Sequence, residues 1–479
     1  MEITEPSAYV DYPEAENLNQ YNQADILRLH TAGAKLQNKV LSTETGGNES
    51  SYSQSFQRLL DEIYSQYAVG FQRVVWHIWT SEYGYGNSEW PGYVSGSGDF
   101  YRWGNREPSY ANYDEFNAHI GRIQKLMQTG KSRTDIGFIH NSWTQGMRTY
   151  AEDGSYSQKS KNWQYAHEGV EYRPTELQDH GYTYDYVSPD LLTIDRSDDS
   201  DYVAMPGEVT KVEYNAETGT LEGAGYKALV IYQDWMDPDG AETILELAKQ
   251  GMPVVILENA AQISPFTSDV SSKGNKLSDI MDEMKGLENV RVAAVNDEKI
   301  NYRKAETGAY DDDVYEKLLE LGVTPYAGFE EENHQILTQT REDEEGNRYL
   351  YAYNYCPNDY HQYSSKEEVK TEDHGLNCTT EMKIEGQYIP YMIDSYSGEV
   401  TELADYSYED GNTVFTIDLD YGNIALYAFE AADQEKDNTI KTTTAESSYM
   451  SDNGPVIRVT EAGTYETELN NGNNVSSEV

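Results

Sequence analysis

The sequence predicts a multidomain α/β protein: the last βα units of a TIM-like (β/α)8 barrel, then a flavodoxin-like α/β domain, then an antiparallel β-sandwich. Three observations carry that expectation. At 479 residues the chain is too long for one hydrophobic core. Up to about residue 329, amphipathic helices alternate with short apolar strands, the mark of parallel βα units. Beyond that point the pattern switches to a period of two with polar turns, which is antiparallel texture. The expected boundaries are 1–132 for the barrel piece, 133–329 for the flavodoxin-like domain and 330–431 for the sandwich. Residues 432–479 are polar and read as a linker or the start of a further domain.

In the first piece, Ile26, Leu29, Ala32 and Leu36 predict a helix over 22–37, with Gly33 as a blemish inside it. Residues 39–45 form a short strand that ends in the turn-permitting pair Gly46 and Gly47. Phe56, Leu59, Leu60, Ile63 and Tyr67 share one face of a helix over 52–67. Residues 73–79 are a nearly continuous apolar strand, of the kind buried on both faces of a parallel sheet. A long aromatic loop follows to about 112. A third helix over 113–128 carries Phe116, Ile120, Ile123 and Met127, and Gly130 stops it. Two such units cannot close a barrel, so the earlier strands are expected to precede Met1.

The second series has strands at 135–140, 182–187, 228–232, 253–257 and 290–295, with helices near 173–180, 240–250, 276–285 and 311–321. This spacing predicts an open, mostly parallel sheet. No GxGxxG or GxxxxGK[ST] pattern is present, so no dinucleotide or phosphate role is supported. In the third part, strands at 349–354 and 413–419 stand out.

Composition excludes whole classes of function. There are 84 acidic against 35 basic residues, a formal charge of −49. Such a surface has no basic patch to displace counterions from phosphate, so nucleic acid is set aside as a partner. No apolar run approaches the roughly 20 residues needed to span a bilayer, and no membrane insertion is expected. The 42 tyrosines suit contact with sugars, since each pairs an apolar ring with a hydroxyl, though most such rings simply pack on sheets. Cys356 and Cys378 could form one disulfide or remain two core thiols; no zinc or redox spacing surrounds them.

Candidate chemistry clusters in the first piece. Glu44 sits at the carboxyl end of a short strand, where parallel-strand enzymes place catalytic groups. Glycoside hydrolysis needs two carboxylates, and Glu44 suits either role; a turn-capping acid is the plainer reading. The run 75–82 adds His77, able to bind a hydroxyl or orient a carboxylate, and Trp79, able to stack on a sugar ring. Glu82 is a candidate second carboxylate. In the following loop Trp90, Trp103 and Arg106 are candidate substrate contacts, or simply lock the loop in place.

The run from Ser42-Thr43-Glu44-Thr45-Gly46-Gly47 through Val75-Trp76-His77, Trp90-Pro91-Gly92 and Asn105-Arg106-Glu107-Pro108 resembles glycoside hydrolase family 106, the α-L-rhamnosidase-like enzymes. So do the segments 122–130, 135–136, 181–187 and 391–399. The resemblance covers most of 20–430. It implies a barrel, a flavodoxin-like domain and β-sandwiches in that order, and removal of a terminal sugar, typically α-L-rhamnose, by an inverting pair of glutamates. Glu44 is the position that maps to one of the pair, and the partner is expected upstream of Met1. No cofactor is evident; that upstream part leaves room for a calcium ion. The implied partner is a carbohydrate and the implied location secreted or cell-surface. A β-galactosidase-like hydrolase and a non-catalytic glycan-binding fragment are the competing readings.

Overall fold

The computed structural model describes residues 3–16, 27–46, 56–76, 108–141, 175–193, 212–233, 235–264, 270–297, 311–333, 335–355, 377–432 and 438–479. His77, Trp79, Glu82, Trp90, Trp103, Arg106 and Cys356 lie outside these residues.

The first sheet has three parallel strands in the order β1 (Glu14–Glu16), β2 (Ser42–Thr45) and β3 (Arg73–Trp76). Two strands were expected. The third, Glu-Ala-Glu, has no apolar run to announce it, and only its pairing with β2 makes it a strand. Of the helix expected over 22–37, residues 22–26 lie outside the described residues; after α1 (Pro6–Tyr9), residues 27–28 are helical, 29–31 turn, and α2 spans Ala32–Leu36. Gly33 is no blemish there. A Cβ at this position would stand 2.7 Å from the backbone nitrogen of Ala8, so α1 approaches where only glycine leaves room. Ser7 Oγ accepts from the Ala34 amide at 3.1 Å across the same contact.

Helices α3 (Phe56–Ala68) and α4 (Tyr113–Met127) bury the faces their periodicity marks. Leu59, Leu60, Ile63 and Tyr67 meet Ile120, Ile123 and Met127, and Leu337, Tyr351 and Tyr353 from the third part complete that core.

β4 (Lys131–Arg133) leads into β5 (Ile136–Ile139) and β6 (Tyr184–Val187), with α5 (Thr175–Asp179) between them. After the small hairpin β7 (Tyr214–Asn215) and β8 (Thr220–Leu221) come β9 (Ala228–Ile231), α6 (Pro238–Lys249), β10 (Val254–Leu257), α7 (Val270–Lys285) and β11 (Val290–Ala293). The five long strands form one parallel sheet in the order β6-β5-β9-β10-β11. Numbered by first appearance this is 2-1-3-4-5, the doubly wound order of flavodoxin. Every residue of β5, β6, β9 and β10 is buried, as expected of strands covered on both faces. The pair β12 (Val295–Asp297) and β13 (Asp311–Asp312) and helix α8 (Val314–Glu320) finish this part.

Two antiparallel sheets follow. One runs β14 (Ala327–Phe329), β17 (Asn377–Glu385), β21 (Asn412–Asp420), β20 (Tyr406–Glu409). The other runs β19 (Val400–Glu402), β18 (Tyr388–Ile393), β22 (Ile424–Ala431), β16 (Arg348–Asn354), β15 (Ile336–Glu342) and β4. Between them lie Phe329, Leu350, Met382, Ile384, Phe415, Ile417, Leu419 and Phe429, the core of a sandwich. β21 shows why: Phe415, Ile417 and Leu419 are buried while Thr416, Asp418 and Asp420 face water. Cys378 is a buried free thiol that accepts from Asn333 Nδ2 at 3.1 Å.

Residues 438–479, expected as a linker or the start of a further domain, carry strands. They form β23 (Ile440–Thr443), β26 (Thr464–Leu469) and β27 (Asn474–Glu478) in one sheet and the hairpin of β24 (Ser447–Ser451) with β25 (Gly454–Arg458). Backbone pairing holds them with very little buried apolar surface, which is why composition misleads here. Asn470 Nδ2 donates to Tyr406 O at 2.9 Å, and the Ile440 amide to Ala404 O at 2.7 Å, tying them to the sandwich.

A buried polar network joins the three parts. Lys35 Nζ lies 2.8 Å from Asp185 Oδ1 and 3.1 Å from Thr134 Oγ1, and 3.5 Å from Gln339 Oε1. Tyr226 Oη donates to Asp185 Oδ2 at 2.9 Å, and Thr31 Oγ1 to Oδ1. Gln178 Nε2 donates to Tyr355 Oη at 2.6 Å.

Candidate active site

The carboxyl ends of β1–β3 form the candidate site. Strand alternation divides β2 into two faces. Thr43 and Thr45 share one: their hydroxyls are 3.3 Å apart, and Thr45 Oγ1 donates to Gln66 Oε1 at 3.1 Å. Gln66 and Glu62 are both buried on α3, one turn apart, so this face is covered by the helix. Ser42 and Glu44 occupy the opposite face. Ser42 Oγ donates to Pro13 O at 3.0 Å and to Glu14 Oε2 at 3.2 Å, so register partners on β1 and β2 meet there. Glu44, half-buried, is one alternation further towards the carboxyl end, paired with position 16 on one side and Val75 on the other.

β3 ends at Trp76, whose ring lies 5.6 Å from that of Phe116; Phe116 in turn stacks on Phe56 at 4.4 Å and 14°. These contacts fix the point from which the segment with His77, Trp79, Glu82, Trp90, Trp103 and Arg106 departs. Of the seven residues expected to form the site, the structure therefore places Glu44. Sequence reasoning passed over Glu62 and Gln66, although two polar residues four apart on an otherwise apolar helical face are a readable signal of a buried polar contact.

Further along α4, His119 is buried, with Nε2 2.6 Å from Tyr64 Oη, and its ring stacks on Tyr396 at 4.0 Å. Burial pushes its pKa down to about 4, so the ring is neutral near pH 7 and holds structure rather than charge. Arg122 donates to Ser395 O at 3.1 Å and Tyr396 O at 2.7 Å. The 391–399 motif is thus the end of β18 and the turn after it, and that turn is pinned to α4.

A second strand-end crevice exists between β5 and β9, where the doubly wound sheet changes direction and related folds bind ligands. Here it is bridged by protein groups: His140 Nδ1 lies 2.5 Å from Tyr232 Oη, and Gln233 Oε1 accepts from the Asn141 amide at 2.8 Å. Among the described residues no group of three or more His, Cys, Asp or Glu is set to hold a metal ion. Nor, among them, is any helix long and apolar enough to cross a membrane.

No family model matches the chain, and no curated protein matches it. Solved structures do. A rhamnosidase from Novosphingobium sp. PP1Y superposes with a TM-score of 0.57 at 16% identity, over 92% of this chain and 36% of that one. The chain thus spans about a third of that enzyme's length. A GH42 exo-carrageenase from Bacteroides ovatus has a TM-score of 0.42 at 11% identity, over 85% of this chain and 44% of the other. A GH42 β-galactosidase from G. stearothermophilus reaches 0.46 at 10% identity, over 87% and 59%. The last two superpositions are too loose to carry an argument. The first shows that this chain shares the fold of the matching third of that structure, at an identity that speaks to fold alone.

Proposed function

We propose that this chain forms part of a glycoside hydrolase that removes a terminal sugar, α-L-rhamnose first among the candidates, by carboxylate acid–base chemistry. The observation that carries the reading is the placement of Glu44: at the carboxyl end of the middle strand of a parallel sheet, on the face turned away from the covering helix. The resemblance of segments 42–47, 75–77, 90–92 and 105–108 to family 106, and the rhamnosidase likeness, support it from two directions.

In this reaction one carboxylic acid gives its proton to the glycosidic oxygen as the bond to C1 breaks. The other carboxylate takes a proton from the attacking water. Glu44 supplies one of these groups. Glu82 remains the proposed second carboxylate, His77, Trp79, Trp90, Trp103 and Arg106 remain proposed substrate contacts, and a secreted or cell-surface location fits a polymeric carbohydrate substrate. A calcium ion enters no step of this reading.

The test is hydrolysis of a panel of aryl glycosides, α-L-rhamnoside included, by the chain and by its Glu44→Gln variant. The expected result is rhamnoside turnover that falls about 10²–10⁴-fold in the variant, the usual contribution of a positioned acid or base. Turnover unchanged by the substitution removes Glu44 from the mechanism, and turnover of none of the panel by folded protein favours a glycan-binding role.

A further inference from the structure

Exposed tyrosine rings differ in how firmly they are held. Tyr12 is 78% exposed and meets the Arg73 guanidinium at a loose 6.0 Å. Tyr396 is 67% exposed and tightly anchored. It sits in the turn between β18 and β19, where Asp394 Oδ1 accepts from the Tyr396 amide at 2.8 Å and Oδ2 accepts from Ser397 Oγ at 2.6 Å. The Gly398 amide donates to Asp394 O at 2.7 Å. Gly398 has a φ of +82°, and a Cβ there would stand 3.0 Å from Arg122 Nε, so the turn lies close against α4. The two bonds from Arg122 to the carbonyls of Ser395 and Tyr396 complete the anchorage. On its inner side the Tyr396 ring lies against the His119 imidazole at 4.0 Å and 17°, and its hydroxyl end faces Tyr64. The outer face is open and fixed in direction. Beside it the surface of α4 is low: Ala118, one turn before Arg122, is exposed, and a Cβ at Gly121 would meet nothing within 4 Å.

We propose that Tyr396 is a stacking platform for one pyranose of a neutral glycan chain, a contact with the polymer beyond the residues assigned to the reaction. This rests on the glycosidase reading above only for the kind of polymer. A pyranose turns C–H groups outward on one face and keeps its hydroxyls at the rim. Those C–H groups carry a slight positive charge and suit the negative face of an aromatic ring. His119 is uncharged near pH 7, so no cation behind the ring competes for that face. The surrounding charge selects the chain. Glu115, one turn before His119, and Asp394 and Glu399 of the turn are acidic, and the Ser397 hydroxyl and Tyr396 amide hold Asp394 below the usual carboxylate range. Arg122, the cation beside them, is given to backbone carbonyls. A polyanion meets repulsion there, added to that of a chain with a formal charge of −49. A ring already fixed loses little freedom on binding, which is how preorganisation adds affinity.

The test is native affinity electrophoresis in gels cast with a neutral α-L-rhamnan, a neutral β-galactan or polygalacturonate. The parent chain is run beside Tyr396→Ala, Tyr396→Phe and Tyr12→Ala, each checked for an unchanged melting temperature. The parent is expected to be retarded by at least one neutral glycan and not by polygalacturonate. Tyr396→Ala is expected to weaken that binding about fivefold or more, the worth of one stacked face, while Tyr396→Phe and Tyr12→Ala stay within about twofold of the parent. Equal retardation of the parent and Tyr396→Ala overturns the platform, and so does a parent that neither neutral glycan retards. If Tyr396→Phe binds as weakly as Tyr396→Ala, the hydroxyl makes the contact and stacking is overturned. Sedimentation tests the other occupant: a parent dimer that Tyr396→Ala converts to monomer, with no retardation by glycan, means that a second copy covers the ring, and this too overturns the platform. Aryl-glycoside hydrolysis keeps the two readings apart. Turnover lost in Glu44→Gln, with retardation indifferent to Tyr396→Ala, leaves the glycosidase reading standing without the platform. Retardation that depends on Tyr396, in a chain that hydrolyses none of the panel, leaves the platform standing without the hydrolase.

Discussion

Lys35 and Asp185 show what a single residue can decide in this molecule. Both are buried, 2.8 Å apart, and belong to segments 150 positions distant. Burial drives the Lys35 pKa down, and the Asp185 carboxylate pushes it back up. Two charges withdrawn from water recover little net stability from their attraction, but removing one leaves the other buried and unpaired. Lys35→Met is therefore expected to cost about 3–5 kcal/mol in urea unfolding. The double variant Lys35→Met/Asp185→Leu removes the unpaired charge but strands the Tyr226 hydroxyl, and is expected to recover part of that loss. If the double variant is as unstable as the single one, the pair is holding the three parts in register by geometry rather than by charge balance.

At the scale of elements, Gly130 marks the passage from α4 into β4. Its φ is +63°, and a Cβ there would press on the carbonyl of Glu342 in β15. Gly130→Ala combines a left-handed backbone with a backbone clash and is expected to cost at least about 2 kcal/mol, read as a lower denaturation midpoint. A cost under about 0.5 kcal/mol would show that the β4–β15 edge pairing yields easily. The glycine was legible as a helix stop, but its second role was not, because Glu342 lies 212 positions away. The same divide runs through the fold. The strands of the doubly wound sheet and helices α3, α4, α6 and α8 could be read from the sequence because local periodicity specifies them. β1 could not, having only Glu-Ala-Glu, and with it went the pairing of positions 16 and 44. The strands of residues 438–479 had no local signal, because they rest on pairing rather than on an apolar face. Of the candidate site, Glu44 was legible from its position before two glycines, while the face it occupies became known only from Thr45, Gln66 and Ser42.

At the scale of the whole molecule, the charge of −49 is the dominant physical fact. Acidic residues outnumber basic ones by more than two to one, so one-to-one pairing would leave more than half of them over. Two lysines on the helices of the doubly wound sheet each serve two acids: Lys276 meets Asp239 and Glu242, and Lys249 meets Glu246 and Glu283. These are exposed pairs, worth little individually, and salt screens them as it screens the surplus. The two effects have opposite signs. Screening removes a small attraction from each pair, but it also removes self-repulsion that grows with the square of the net charge. With a surplus of this size repulsion wins. Raising sodium chloride from about 0.01 M to about 0.5 M shortens the screening length from about 30 Å to roughly 4 Å, below the spacing of most surface charges. The melting temperature is expected to rise by several degrees over that range, most steeply at its lower end. A flat or falling profile in calorimetry would mean that the surplus acids are arranged around the few cations well enough for attraction to prevail.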